Sequence, residues 1–309
     1  MRNLDIPEVH VISGLLKANS SLYGPAKSDY ERAIELHPGD GDAYRRLSAI
    51  YYRDNEPDQA LDAIKKAIEV QPGDIRNHQQ LGTLYIRDGD YRAALPEFKT
   101  MVDLEPDLAE PHFALGSELE FLGQFGEAET ELRKSLRLQD SSKAEHELGT
   151  ILLDLRRNRE AVICLLRALK IGPETPELLM NLGLAYSREG HVREANLSFQ
   201  RGLELGGMVL NRDPREGSER ARVAYMAARL GDPKRAATEI DQALRISPED
   251  SETLTLAVLV YELLGRRQQI LELLESRPSA RVLLSRYIEL DDLRRDPRFQ
   301  SLSVAGKIH

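Results

Sequence analysis

Residues 75–108 read IRNHQQLGTLYIRDGDYRAALPEFKTMVDLEPDL, and the pattern of this stretch returns along most of the chain. Gly82 and Ala94 are followed 34 residues later by Gly116 and Ala128. A fixed period of this length is typical of stacked supersecondary units, each of which packs on its neighbours instead of around one central core. The sequence therefore predicts a solenoid.

The spacing of apolar residues predicts two helices in each period. Leu81, Leu84 and Tyr85 recur at helical spacing, and Leu95 and Met101 belong to a second such run. Two amphipathic helices of about 12 to 14 residues account for both runs. We therefore expect an all-α fold of antiparallel helix pairs.

Eight repeats can be assigned along the chain, and the places within each repeat are numbered from its first residue. The predicted first residues are Pro7, Gly41, Ile75, Ala109, Ser142, Pro176, Gly217 and Ser251. Place 8 is small in seven repeats, and place 20 is alanine in seven. Because glycine inside a helix costs about 1 kcal/mol in propensity, its recurrence at place 8 predicts a close approach of the second helix, with the place-20 alanine facing it.

These residues resemble the tetratricopeptide repeat. The resemblance rests on a small residue at place 8, alanine at place 20, and aromatic residues at places 11 and 24, such as Tyr85 and Phe98. It covers Pro7 to about Arg277 and implies a right-handed superhelix whose first helices line a concave groove for peptides or proteins. Three departures are a short fourth repeat, a seven-residue excess at 210–216, and Ile270 in place of alanine.

The end of the chain is expected to cap the array. Residues 280–290 have helical apolar spacing, and Asp296 followed by Pro297 is a helix-start pattern. We therefore predict an array over residues 1–278 and a capping helix and tail over 279–309. Residues 293–299 also resemble the segment that closes such arrays in bacterial serine/threonine kinases, which implies a bacterial regulatory protein.

Composition narrows the class of partner. The 309 residues are 41% hydrophobic and 30% charged, with a net charge of −9 and one cysteine, Cys164. The negative charge disfavours nucleic acid and acidic membranes as partners, since both attract basic surfaces. With no signal peptide or membrane-spanning stretch visible, we expect a cytoplasmic protein without membrane insertion.

Motifs for catalysis are missing from the sequence. No phosphate loop, nucleophile elbow or metal-ligand spacing is present, so we expect no enzyme activity, cofactor or metal. His10, His78 and His112 stand at place 4, where a packing role is expected, and Gly206–Gly207 is interpreted as a helix end. An enzyme or small-ligand binder that uses the groove is the least favoured class.

The groove is where partner-binding residues are expected, at places 2, 5, 9, 12 and 13. The candidates are Arg45, Tyr52, Arg53, Arg76, Gln79, Arg87, Phe113, Phe121, His146, Arg188, Tyr225 and Arg229. The basic residues in the second and third repeats favour an acidic peptide segment or a terminal carboxylate. A basic residue at place 13 is also common in this repeat type without such a role.

Two functional hypotheses follow. The first is a non-enzymatic scaffold or adaptor that binds a peptide or protein partner in the groove. The alternative is a regulatory or sensory module of a larger signalling protein, such as a bacterial kinase, in which the array docks on its own catalytic domain.

Overall fold

The computed structural model describes residues 5–277, 280 and 288–299. Across these residues the chain contains helices and no strand, and it divides into two compact units, Met1–Asp140 and Ser141–His309. Consecutive helices pack as antiparallel pairs within each unit. The predicted all-α fold of helix-turn-helix repeats is thus confirmed.

The N-terminal unit contains four helix pairs. They are α1 (Pro7–Asn19) with α2 (Tyr23–Leu36), α3 (Gly41–Arg53) with α4 (Pro57–Val70), α5 (Ile75–Arg87) with α6 (Tyr91–Leu104), and α7 (Ala109–Phe121) with α8 (Phe125–Leu138). The first helix of each pair has 13 residues and the second has 14.

The C-terminal unit contains four further pairs. They are α9 (Ser142–Asp154) with α10 (Asn158–Ile171), α11 (Pro176–Arg188) with α12 (Val192–Arg212), α13 (Gly217–Arg229) with α14 (Pro233–Ile246), and α15 (Ser251–Leu263) with α16 (Arg267–Ser276). A 3-10 turn, Ile288–Leu290, and a short helix, Asp291–Arg295, follow. The first helices of both units begin at the residues that open the repeats in the sequence, while the division into array and cap stays a prediction.

The turn inside each pair has the same geometry in all eight repeats. Place 15 has a positive φ, from 60° at Arg156 to 79° at Gly190. The amide of the next residue donates to the carbonyl at place 11, as Asp90 does to Tyr85 at 2.8 Å. This left-handed helix end, the Schellman motif, closes the first helix and directs the chain into the second.

Each glycine at place 8 packs against place 24 of the second helix. A Cβ added to Gly82 would lie 2.8 Å from Phe98 Cζ, and one on Gly183 would lie 2.5 Å from Phe199 Cε1. The expected facing of place 8 and the place-20 alanine is found beside this contact, because a Cβ on Gly116 would also lie 3.4 Å from the Ala128 carbonyl oxygen. The ring or leucine at place 24, which was not expected, fills the rest of the space over the glycine.

The seven-residue excess in the sixth repeat extends a helix. Helix α12 has 21 residues, and Gly206–Gly207 lies inside it, so the predicted helix end there is wrong. The physical reason is close packing, because a Cβ on Gly206 would lie 2.6 Å from Glu219 Oε1 and 2.8 Å from Val223 Cγ2. The glycine lets α13 approach the lengthened helix.

The segment 288–299 packs into the hydrophobic core of the C-terminal unit. Leu290, Leu293 and Phe299 are at most 1% exposed and belong to the same buried cluster as Tyr261. The Asp296 side chain accepts a hydrogen bond from the Arg298 amide at 3.1 Å. The predicted helix over 280–290 falls mostly outside the described residues.

Replacing Gly82 with leucine is expected to lower the free energy of unfolding by about 1 to 3 kcal/mol, because the added side chain meets the Phe98 ring. Urea unfolding measures the change. Gly126→Ala is the matched control, since nothing lies within 4 Å of its added Cβ. An unfolding midpoint for Gly82→Leu equal to that of the control would contradict this packing.

Candidate partner-binding site

The first helices form a row in each unit. Helix α3 contacts α5 in the N-terminal unit, and α9, α11, α13 and α15 contact one another in succession in the C-terminal unit. Side chains at place 13 stand at the C-terminal ends of these helices. Five of them contact the preceding repeat and are positioned by it: Arg53, Arg87, Phe121, Arg188 and Arg229.

In the N-terminal unit, aromatic rings hold the place-13 side chains. The Arg53 guanidinium lies 3.5 Å from the centroid of the Tyr23 ring, at place 17 of the preceding repeat. Phe121 has the same relation to Tyr91, with ring centroids 5.4 Å apart and planes inclined by 17°. We call Arg53, Arg87 and Phe121, with the rings beneath them, the aromatic ladder.

Arg87 belongs to this ladder through a different ring. Place 17 of the repeat before it is Pro57, and Arg87 lies 4.9 Å from the centroid of Tyr52, at place 12. Phe121 is 67% exposed, while Phe113 is half-buried. The structure thus brings Tyr52, Arg53, Arg87 and Phe121 into one repeating arrangement.

Acidic neighbours engage the other basic candidates. Arg45 and Arg46 both bind Asp42, and Arg76 Nη2 donates to Asp74 at 2.6 Å. Gln79 Nε2 donates to Glu110 at 2.8 Å. The predicted basic stretch is therefore partly neutralised within the N-terminal unit, and Arg53 itself also contacts Asp54.

His146 is part of a polar network in the C-terminal unit. Asn181 Nδ2 donates to His146 Nε2 and to Thr150 Oγ1, both at 3.2 Å. Burial lowers the pKa of His146, and the charge of Arg222 adds to this while Glu177 opposes it. A neutral imidazole that accepts a hydrogen bond from an amide is suited to positioning Asn181.

Arginines at place 13 of the C-terminal unit contact polar groups of the same unit. Arg188 Nη1 donates to the Leu153 carbonyl at 2.9 Å, and its other nitrogens bind Glu289. Arg229 donates to Ser187 Oγ and lies over two rings. These side chains are engaged within the unit.

Tyr225 is not available to a partner in this structure. It is 2% exposed and meets Phe199 edge to face, with centroids 6.2 Å apart. The expectation of an exposed groove residue at Tyr225 is corrected, because α15 and the segment around Glu289 pack around place 9 of this repeat.

Arg222 stands among several carboxylates. It bonds both oxygens of Glu252 at 2.6 Å and one oxygen of Glu219 at 3.1 Å, and Glu177 lies 3.8 Å away. Burial raises the pKa of Glu252 to about 7, although Arg222 opposes this. The charge near these repeats is thus acidic, unlike the basic character predicted for the second and third repeats.

Two place-4 histidines, His78 and His112, have the packing role expected for them, whereas His10 is only partly buried and contacts Asp5 at 2.9 Å. His78 ring nitrogens lie 2.7 Å from Glu97 Oε2 and 3.0 Å from the Pro72 carbonyl. His112 makes the same pair of contacts with Glu131 and Pro106. Each ring links the second helix of its own repeat to the turn before the repeat.

Glu118 is a residue that sequence analysis missed. It stands at place 10, where the neighbouring repeats have Leu84 and Ile151, and it is 1% exposed. Neither carboxylate oxygen has a hydrogen-bond partner among the described residues. The sequence signal for a buried carboxylate was present, because Glu118 is an acidic residue at a place that is apolar in the neighbouring repeats.

In the described part of the chain, no three His, Cys, Asp or Glu side chains are grouped so as to hold a metal ion. None of the helices described there has both the length and the hydrophobicity of a membrane-spanning segment.

Comparison with known proteins identifies the repeat type. Tetratricopeptide-repeat family models match residues 23–83, 109–142 and 146–207. The crystal structure of the APC/C hetero-tetramer Cut9–Hcn1 is similar, with 16% identity, a TM-score of 0.58, and coverage of 92% of this chain and 52% of that chain.

A structure of pilF from Pseudomonas aeruginosa is also similar, with 18% identity, a TM-score of 0.53, and coverage of 80% of this chain and 94% of that chain. At such identities both likenesses show the fold alone. No curated protein matches the chain.

Replacing Glu118 with glutamine is expected to stabilise the N-terminal unit more at pH 8 than at pH 5. Burial raises the pKa of this carboxyl to about 7 from an ordinary 4.5, so the folded state keeps a proton that the unfolded state releases. Unfolding free energy therefore falls as pH rises between these values, and the variant should regain about 1 to 3 kcal/mol at pH 8.

Urea unfolding at both pH values tests this expectation, with the exposed Glu127→Gln as the matched control. An equal gain for Glu118→Gln at the two pH values would contradict the assigned ionisation.

Proposed function

Because the chain is a tetratricopeptide-repeat protein, we propose that it is a non-enzymatic scaffold that binds a peptide or protein partner along the first-helix row of its N-terminal unit. The aromatic ladder carries this proposal. Its partner segment is acidic, with an apolar side chain beside the carboxylate.

Stacking leaves the hydrogen-bonding edge of an arginine usable. When a guanidinium lies face-on over a ring, its flat surface is covered and its N–H groups still point outward. Arg53 has this position over Tyr23, its side chain is 44% exposed, and Asp54 engages only its Nη2. A carboxylate can then bind through paired, charge-assisted hydrogen bonds to a side chain already held in place.

The spacing of the ladder suits an extended partner. Arg53, Arg87 and Phe121 occupy the same place in three successive repeats, so a bound segment meets two cations and then an aromatic ring. Phe121, 67% exposed, supplies an apolar anchor at the end of this series. This order favours an acidic segment flanked by an apolar residue.

Acidic neighbours decide which arginines near the aromatic ladder remain available to a partner. Arg45, Arg46 and Arg76 are already paired with Asp42 and Asp74, so a partner gains less from them. Arg87 contacts the Tyr52 ring, which competes weakly with a carboxylate. We therefore expect Arg87 to contribute more to the binding free energy than the other arginines.

The double substitution Arg53→Glu, Arg87→Glu is expected to weaken partner binding about a hundredfold or more, since two charge-assisted contacts are replaced by repulsion. Affinity capture from the native lysate, followed by mass spectrometry, identifies the partner. Binding of the purified partner to both proteins then measures the loss, which should shrink at high salt.

Arg92→Glu, Lys99→Glu is the matched control, because it makes the same change in charge on exposed residues of α6. A partner kept by the wild type and this control but lost by the ladder variant supports the proposal. Equal retention by all three proteins places the site elsewhere. Failure of the wild type to capture any protein contradicts an adaptor role and favours a module that docks on its own catalytic domain.

A further inference from the structure

The C-terminal unit holds one of its own carboxylates against the first-helix row. Arg188 Nε and Nη2 each donate to a different oxygen of Glu289, both at 2.8 Å. The two residues are 101 positions apart, and their side chains are only 12% and 18% exposed. A paired guanidinium–carboxylate contact of this kind is among the strongest and most directional in proteins.

A second contact positions the Arg188 side chain independently of Glu289. Its third nitrogen, Nη1, donates to the Leu153 carbonyl in the preceding repeat. Although burial alone would raise the pKa of Glu289, the hydrogen bonds and charge of Arg188 lower it below its ordinary value. The site therefore favours an ionised carboxylate.

This contact extends beyond what is needed to cap the stack. A terminal cap covers the last repeat, because each repeat of a solenoid touches only its neighbours. Glu289 instead contacts α11, in the sixth repeat, while the turn Ile288–Leu290 also packs on α15, in the eighth. The segment thus runs along the row of first helices, where a peptide ligand would lie.

The fit around Glu289 is incomplete. A cavity of about 60 Å³ is bordered by Tyr225, Leu259, Glu262, Leu263 and Glu289. The Tyr225 hydroxyl is buried, and its interaction with Arg229 falls short of a hydrogen bond of ordinary geometry. A buried hydroxyl without a well-formed hydrogen bond costs about 1 to 3 kcal/mol, so a ligand that fills the cavity and bonds Tyr225 would bind better than the resident segment.

We propose that Arg188, Tyr225 and the first-helix row around them form a second peptide site, for a segment with an acidic residue followed by an aliphatic one. Glu289 and Leu290 of the chain itself occupy this site and are displaced by a partner with an equivalent pair. The site lies in a different unit from the aromatic ladder, so either proposal can fail without the other.

A labelled peptide with the sequence of residues 286–292, RYIELDD, is the probe, and fluorescence anisotropy measures its binding to the full chain. Glu289→Ala should bind it at least about tenfold more tightly than the wild type, because apparent affinity is reduced by the fraction of sites already filled. Arg188→Ala, Glu289→Ala should lose this binding, as should the probe with glutamine in place of its glutamate.

Glu174→Ala is the matched control, since Glu174 pairs with Arg201 in the same unit with both side chains exposed. It should behave as the wild type does. Equal affinity of the wild type and Glu289→Ala, or no binding to Glu289→Ala, would overturn the proposal.

Hydrogen exchange on the wild-type chain gives a test that does not depend on the folding of a variant. Excess probe should speed exchange of the amides of residues 288–299 while exchange in α9 stays the same. Unchanged exchange in 288–299 at saturating probe would overturn the displacement.

A charge reversal tests the ion pair itself by the same measurement. Arg188→Glu alone should remove protection of the amides of residues 288–299, and Arg188→Glu combined with Glu289→Arg should restore it.

Discussion

The contact between place 8 and place 24 is the constraint on which the rest of this structure depends. Where place 8 is glycine, a ring or a leucine lies directly over the backbone of the first helix. Where it is Ser48, Ala224 or Val258, the residue at place 24 is aliphatic. The two helices of a pair can therefore approach closely in every repeat, and Ser48 adds a 2.7 Å hydrogen bond to the Ala60 carbonyl. Close pairing sets the direction of the next first helix and so builds the row.

The row then determines what a place-13 residue can do. Its side chain lies on the preceding repeat, so its character follows from the group it meets there. Over Tyr52 the edge of Arg87 stays usable, and over Tyr23 Arg53 shares its edge with Asp54. Beside the Leu153 carbonyl or Ser187, by contrast, the arginine edge is used within the protein. The same residue type at the same place is thus a candidate contact in one unit and an anchor for the chain's own Glu289 in the other.

Much of the fold could be predicted because periodic packing leaves a periodic sequence. Glycine at place 8 and the helical spacing around Leu81 were enough to predict paired helices from the sequence. The candidate site was less predictable, since single residues decide it. Asp42 and Asp74 lie within four positions of the arginines they neutralise, so that pairing was visible in the sequence. No local pattern connects Arg188 with Glu289 across 101 residues.

The chain compensates two buried carboxyl groups in different ways, Glu118 in the N-terminal unit and Glu289 in the C-terminal unit. The difference explains why we expect Glu289 and Leu290 to be exchanged for a ligand and not simply released. Glu118 is buried with no partner in the described residues, and burial raises its pKa. A bound proton therefore neutralises part of its charge. Glu289 is held by Arg188, which is itself mostly buried and would lose its counter-charge if the segment left. Leaving one member of a buried pair uncompensated costs about 3 to 5 kcal/mol, more than most exposed contacts can supply. A neutral or basic ligand cannot repay that loss, whereas an incoming carboxylate restores the pair. Selectivity for an acidic segment therefore follows from the cost of opening the site.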